Sequence, residues 1–461
     1  MSTPPLRVLL FVTSHYSTNG YSYVGYEIAK HLSKHQDVNL SIYGFQRFHN
    51  IPNHRQDFPE NVLEYDAFAN ENPKQGGFGI EQVKDFVLTN RPDVCVVYND
   101  VMILKGVISQ LKSAQSSHNF KIVAYVDQVY LCQKKEYVEF LNQTIDSAIL
   151  FTPFWEKCIL DQGLKTPTHV LHHGFNIDAH FPVPKKLARK LYNIHENDFI
   201  VLNLNRNQPR KRWDVCMQAM ALLVSIAPDE PIKMLIGTDL NGAWNIMELY
   251  ERELRKYGLS LEDGMRHIIA LDFPQQLSDE DVNFLYNVAD IGMNTCDGEG
   301  FGLCNFQQAA IGIPQVISAV GGFLDFFTDD RAIMVKPKLT YYVDNSRDSV
   351  GGEAELCDYH DFTAGILKYY RDKDLVKLHG ERCRKFIIQN YGWDDIVAKF
   401  RNIVIDVAGR SSTPEIATKD PIAPSKLQSK VVVSVKKKDK AKQLLKQRLA
   451  NSHSTYPYPL K

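Results

Sequence analysis

The sequence predicts an α/β fold of two doubly wound domains whose parallel sheets face each other across a cleft, followed by a basic, disordered tail. Two successive series of short apolar runs, each alternating with helix-like segments, carry this prediction. A proline-containing charged segment over 172–197 separates the two series, and the composition changes abruptly at Ser411. At 461 residues, 44% of them hydrophobic, the chain has room for two to three domains and a sizeable core.

The first run is Val8-Leu9-Leu10-Phe11-Val12, continuous rather than alternating, as expected of a strand covered by helices on both faces. A small-residue polar loop follows, ending at Asn19-Gly20, and then Val24, Ile28, Ala29 and Leu32 recur at helical spacing. Further strands are expected at Val94-Cys95-Val96-Val97-Tyr98, Ile122-Val123-Ala124-Tyr125-Val126, Ala148-Ile149-Leu150-Phe151 and His169-Val170-Leu171. The second series starts at Phe199-Ile200-Val201-Leu202-Asn203-Leu204. It continues through Lys233-Met234-Leu235-Ile236, His267-Ile268-Ile269-Ala270-Leu271, Ile291-Gly292-Met293 and Gln315-Val316-Ile317. The last strong helical pattern runs over 393–407. Domains are therefore expected over 1–180 and 181–392, with a tail over 409–461.

The chain carries 53 Lys and Arg against 54 Asp and Glu. Eleven of the basic and three of the acidic residues fall in 411–461, leaving 42 against 51 for the rest. An acidic body gives no footing to nucleic acid. The tail, with Lys436-Lys437-Lys438 and a stripe of Leu444, Leu445 and Leu449, reads as solvated and disordered, with contact to an anionic membrane surface as its sharper reading. The eight cysteines show no Cys-x-x-Cys pair and read as reduced core residues. With no signal-peptide pattern at Met1-Ser2-Thr3-Pro4-Pro5 and no apolar run of membrane length, the expected location is cytoplasmic, peripheral to a membrane at most.

Chemistry concentrates in Cys296-Asp297-Gly298-Glu299-Gly300-Phe301-Gly302-Leu303-Cys304-Asn305-Phe306-Gln307, set between a strand-like and a helix-like segment. Glycines let a ligand approach the backbone, free N–H groups at a helix start favour negative charge, and a nearby carboxylate suits sugar hydroxyls. A diphosphate-linked sugar is the occupant this pattern implies. A second stretch, Asn205-Arg206-Asn207-Gln208-Pro209-Arg210-Lys211-Arg212, follows directly on a strand. Ligands of open parallel sheets bind beyond the carboxyl ends of the strands, so these cations are placed to meet a phosphate rather than only to solvate a face.

The first stretch resembles the signature of the retaining nucleotide-sugar glycosyltransferases that include glycogen synthases, sucrose synthases and bacterial mannosyltransferases. That signature reads Glu-Gly-Phe-Gly-Leu, three residues, then a second Glu. Glu299 to Leu303 match it, and Gln307 stands at the second acidic position. The resemblance implies that Glu299 meets the transferred sugar, and that the backbone of Gly300, Phe301, Gly302, Leu303 and Cys304 lies along the donor. Gln307 would hold the ribose without the charge-assisted part of the bond. Arg206 and Lys211 match the spacing of the family's diphosphate-binding pair. Gly312-Ile313-Pro314 and Gly321-Gly322-Phe323 resemble further turns that shape the floor of its cleft.

The same resemblance implies two Rossmann-like domains in the arrangement termed GT-B, with helix 393–408 crossing back onto the first. In that domain Gly20 is placed to close over the phosphates. Asp127, at the end of an apolar strand, is placed to orient an acceptor hydroxyl or the donor's hydroxymethyl group, although an Asp there also serves as a turn or cap. Tyr16, Tyr21 and Tyr23 suit either acceptor stacking or packing. Base recognition is expected from backbone groups of loops such as Asp272-Phe273-Pro274.

His172-His173-Gly174 is not expected to bind metal, because neighbours on a strand point to opposite faces; the segment resembles instead the family's glycine-containing turn into the second domain. Asp279-Glu280-Asp281 and Asp372-Lys373-Asp374 lie in helix-like polar runs, not at apolar strand ends. No divalent metal and no cofactor are expected. The reaction implied is transfer of a sugar from a nucleoside diphosphate sugar to a hydroxyl acceptor on a glycan, lipid or protein, with retention of configuration. The alternatives are a catalytically degenerate nucleotide-sugar-binding or scaffold protein, and a nucleotide-sugar epimerase on the same fold. A nicotinamide-linked dehydrogenase is disfavoured, because the loop after the first strand lacks Gly-x-Gly-x-x-Gly.

Overall fold

In the computed structural model the described residues are 4–410, apart from 49, 70, 72–75, 272–276, 345–346 and 348–349. The basic tail, its lysine and leucine clusters, and Asp272-Phe273-Pro274 lie outside them.

The apolar run at the start forms β1 (Leu6–Thr13), in which Leu9, Leu10, Phe11 and Val12 are all buried. Asn19 then caps α1 (Gly20–Leu32), its side chain accepting from the Ser22 amide at 2.9 Å. Gly25 lies where α1 crosses β1: a Cβ there would meet Val12 at 2.8 Å, so only glycine lets the helix lie this close. β2 (Val38–Phe45) and β3 (Leu63–Asp66) follow, then α2 (Val83–Asn90) and β4 (Val94–Asp100). Asp100 caps α3 (Val101–Gln115), which leads into β5 (Lys121–Asp127), α4 (Lys135–Thr144) and β6 (Ser147–Leu150). Thr152 caps α5 (Pro153–Asp161), whose Pro sits at the first turn, and β7 (Thr168–Val170) closes the domain. The strand order is β3-β2-β1-β4-β5-β6-β7, all parallel.

After α6 (Lys185–Leu191) the second sheet begins with β8 (Phe199–Asn203). α7 (Trp213–Ile226), β9 (Ile232–Ile236), α8 (Ile246–Arg255), α9 (Leu261–Met265) and β10 (Ile268–Ala270) build one wing. α10 (Asp279–Val288), β11 (Ile291–Asn294), α11 (Leu303–Ala310), β12 (Gln315–Ser318), α12 (Phe323–Phe326) and β13 (Ile333–Val335) build the other. The order is β10-β9-β8-β11-β12-β13, again all parallel.

An antiparallel hairpin of β14 (Pro337–Val343) and β15 (Gly352–Cys357) follows. It reaches the first domain, where Leu131 and Glu353 exchange backbone hydrogen bonds at 3.0 and 2.8 Å. α13 (Tyr359–Arg371), α14 (Lys373–Asn390) and α15 (Trp393–Val407) end the described chain. α15 packs on α1 of the first domain, fixed by Arg401 Nε to Asp37 at 2.9 Å and by His31 to Asp394 at 2.7 Å.

Both sheets reverse strand order at one point, between β1 and β4 in the first and between β8 and β11 in the second. Crevices outside the carboxyl ends of strands open at such points. Gly20 follows β1, the 205–212 run follows β8 and the Glu299 loop follows β11. β8 and β11 are paired neighbours, which is why two motifs about ninety residues apart in sequence arrive at one place.

Candidate functional site

A cavity of about 980 Å³ opens at the seam between the two sheets. Its walls include Gly20 from the first domain and Arg206, Leu303, Cys304 and Gln307 from the second. Arg206 is exposed there. Opposite it, α11 starts at Gly302 in a left-handed conformation, φ 82°, with no side chain among the described residues capping it and no acidic residue in its first turn. A Cβ at 302 would run into the Phe323 ring as well as force that φ, so glycine is required twice over. The helix start thus presents bare amides and an uncompensated dipole to the cavity. Burial raises the Cys304 thiol pKa against the opposing pull of Lys211, the Tyr286 hydroxyl and Arg206.

Glu299, Lys211, Asp127 and Gly300 do not line that cavity: Glu299 and Lys211 form a buried ion pair, and half-buried Asp127 lies against Gly300 across the domain seam. The Glu299 carboxylate, 4% exposed, accepts from Lys211 Nζ and from Arg210 Nη1 at 3.1 Å. Burial alone would raise its pKa; the two cations outweigh that and bring it to about 2. Arg210 also donates to the Gly298 carbonyl at 3.2 Å. Asp127 ends β5 in the other domain, and burial raises its pKa against the opposing pull of Arg210. Tyr21 donates its hydroxyl to Asp127 Oδ2 at 2.6 Å, which gives this tyrosine a bonding role rather than an open face for stacking.

Gly300 joins the two halves. A Cβ there would collide with Asp127 and lie 3.2 Å from Phe151, and its carbonyl accepts from Trp155 Nε1 at 2.8 Å. Behind it, the Gly322 amide donates to the Glu299 carbonyl at 2.9 Å, so the Gly321-Gly322 turn supports the loop from below. Phe301 faces the core: its ring lies 4.5 Å from His173, 5.0 Å from Phe306 and 5.1 Å from Phe326. The predicted site residues therefore divide three ways. Gly20, Arg206, Leu303, Cys304 and Gln307 meet the cavity; Glu299, Lys211, Asp127 and Gly300 meet one another; Phe301 and Gly302 shape the turn.

At Gln307 the side-chain carbonyl accepts from the Tyr286 hydroxyl at 3.1 Å. His172 and His173 lie beyond β7, as the turn reading of this segment has it, so the strand argument about opposite faces does not apply to them. His172 Nε2 pairs with Asp325 at 2.7 Å. His173 sits among Tyr98, Tyr125 and Phe151, where burial lowers its pKa to about 3 and keeps it neutral. Asp279 and Asp281 open α10, and Asp281 completes a capping box with Ser278; Asp372 caps α14. Among the described residues no group of three or more His, Cys, Asp or Glu is arranged to hold a metal, and no helix is long and apolar enough to cross a membrane.

Arg210, Tyr286 and Trp155 were not singled out from the sequence as site residues. Arg210 was visible as a cation in the 205–212 run, but its partner lies in another loop. Tyr286 and Trp155 look like any core aromatic until the sheets are assembled.

Residues 184–341 match the family described as "Glycosyl transferases group 1". The mannosylfructose-phosphate synthase of Agrobacterium fabrum is 25% identical over 187 residues, 40% of this chain and 39% of that protein. The D-inositol 3-phosphate glycosyltransferase of Thermobispora bispora is 26% identical over 160 residues, 33% of this chain and 35% of that protein. The matched region thus spans well under half the length of these curated relatives. Among solved structures, the sucrose-phosphate synthase of Thermosynechococcus elongatus superposes with a TM-score of 0.66 at 15% identity, covering 88% of this chain and 100% of that one. Anabaena HepE in complex with UDP-glucose superposes with a TM-score of 0.66 at 14% identity, covering 87% and 100%. At such identities these likenesses establish the fold: two Rossmann-like domains in the GT-B arrangement.

Proposed function

We propose, from the match of residues 184–341 to the group 1 glycosyl transferases, that this chain moves a sugar from a nucleoside diphosphate sugar to a hydroxyl acceptor on a glycan, lipid or protein, with retention and without a divalent metal. The observation that carries the reading is that exposed Arg206 and the start of α11, which has no side-chain cap among the described residues, line one cavity. A diphosphate there gains a cation and free amides together. Gln307, oriented by Tyr286, offers its amide N–H to a ribose oxygen.

As the anomeric C–O bond breaks, its electron pair passes to the departing phosphate. The acceptor oxygen bonds to the same face of the sugar and gives its proton to a phosphate oxygen. Negative charge grows on the leaving group, and Arg206 with Lys211 stabilises it more than the ground state. Lys211 reaches the phosphate by giving up Glu299, which Arg210 continues to hold, leaving an oriented carboxylate beside the developing positive charge on the sugar. These two cations supply the positive charge that a divalent ion supplies elsewhere, which supports metal independence.

One pair of observations favours a second reading, a protein that binds nucleotide sugar without turning it over. Gln307 replaces the acidic residue of the signature, and Glu299 is tied up by two cations. A panel of UDP-, GDP- and ADP-sugars, with and without EDTA, decides between them by nucleotide release and melting shifts. The proposed reaction predicts EDTA-resistant release with one donor, lost in Glu299→Gln while the melting shift persists. Stabilisation without release across a broad acceptor set contradicts it.

A further inference from the structure

Arg55 stands between β2 and β3 in a segment without any motif, yet it is 4% exposed. Its guanidinium bridges two domains. Nε and Nη2 donate to the two carboxylate oxygens of Asp279 at 3.2 and 3.3 Å. Nη1 donates to the carbonyls of His15 and Ser17 at 3.4 and 3.0 Å and to Ser22 Oγ at 2.7 Å. The Tyr26 ring lies 5.2 Å from it and confines its orientation. His15, Ser17 and Ser22 belong to the segment that carries Gly20 into α1, whereas Asp279 is the first residue of α10 in the second domain. Both Arg55 and Asp279 line the cavity.

We propose that Arg55 is a positioning residue that latches the two domains over the donor cavity. The same guanidinium that grips Asp279 sets the backbone leading to Gly20, so the loop reaches its closed shape only when the domains are together. The chemistry requires an arginine, because a planar five-donor fork serves the carboxylate on one edge and the loop on the other, and an ammonium has no such second edge. Asp279 retains 29% side-chain exposure, so water can replace its half of the pair when the cleft opens. Nucleotide entry and release then pass through the parted state of this pair. The proposal rests on reading the cavity as the nucleotide-sugar site.

The test compares wild type with Arg55→Lys, Asp279→Asn and the double variant; Asp279→Asn leaves the Ser278–Asp281 capping box of α10 intact. Small-angle scattering of the ligand-free proteins is expected to show a larger radius of gyration in all three variants. Release of a fluorescent UDP or GDP followed by stopped flow is expected to be about tenfold faster in each single variant, and no faster in the double. The donor KM rises more than kcat falls, and in Asp279→Asn, whose carboxylate is part-exposed, the melting temperature stays near that of wild type. Unchanged scattering, or effects that multiply in the double variant, overturns the latch. If wild type binds no nucleotide, the functional reading fails while the scattering comparison still decides the latch.

Discussion

Asp127 is a half-buried carboxylate of the first domain and Glu299 a buried one of the second, and their surroundings drive their pKa values in opposite directions. Two cations hold Glu299 ionised, with a pKa of about 2. Asp127 is dominated by burial, and its pKa is raised despite Arg210 and Tyr21. A carboxyl whose folded pKa exceeds its unfolded value weakens the fold as pH climbs through that interval, and costs nothing below the unfolded value near 4. Asp127→Asn, which mimics the neutral form, is therefore expected to raise the melting temperature at pH 8 relative to wild type and to leave it nearly unchanged at pH 4. Thermal melts across that range check this. An equal shift at both ends would assign the effect to packing rather than ionisation.

This pairing was only half legible in the sequence. Strand-end position and the 205–212 cations were readable in order along the chain. That Lys211 and Arg210 would both meet Glu299 was not, since it depends on β8 and β11 lying side by side.

At the scale of elements, the strands readable in advance were those buried on both faces, such as β1, β4 and β8, because covered parallel strands are continuous apolar runs. β2 is obscured in the sequence because Asn39, Ser41 and Gly44 interrupt its run, and β3, Leu-Glu-Tyr-Asp, is a short strand at the sheet edge with an exposed Leu63. The β14–β15 hairpin also left no clear signal: Lys338, Thr340 and Tyr342 face solvent, and what holds it are contacts distant in sequence. Its Tyr341 packs on Val129, Tyr130, Val343 and Ala354 in a small cluster shared by the two domains.

Among the site's elements, α11 depends most on one residue. Gly302→Ala must adopt φ near 82° and press a methyl into Phe323, and left-handed strain alone costs about 1 to 3 kcal/mol. The expected outcome is a destabilised protein with weakened nucleotide binding, read by denaturant unfolding and a nucleotide titration. Full stability and affinity would mean that the turn into α11 is not required as described.

At the scale of the molecule, closure is built from contacts that individually look structural. Trp155 to Gly300, Leu131 to Glu353, α15 against α1 and Arg55 to Asp279 together bring the ends of β1 and β5 to the ends of β8 and β11. Alternating strands and helices made the two-sheet architecture readable from the chain. The contacts that set how the domains meet were not, because each pairs residues separated by more than one hundred positions and, Gly300 apart, their members carry no motif.

The central claim is that the exposed guanidinium of Arg206 and the bare amides at the start of α11 together bind a diphosphate. Isothermal titration of UDP, GDP and ADP into wild type and Arg206→Ala, in EDTA, tests it most directly. One of the three nucleotides is expected to bind wild type, with Arg206→Ala weakening it by about 1.5 to 3 kcal/mol, the size of a hydrogen bond to a charged group. Equal affinity in the two proteins, or no binding by wild type, would contradict it.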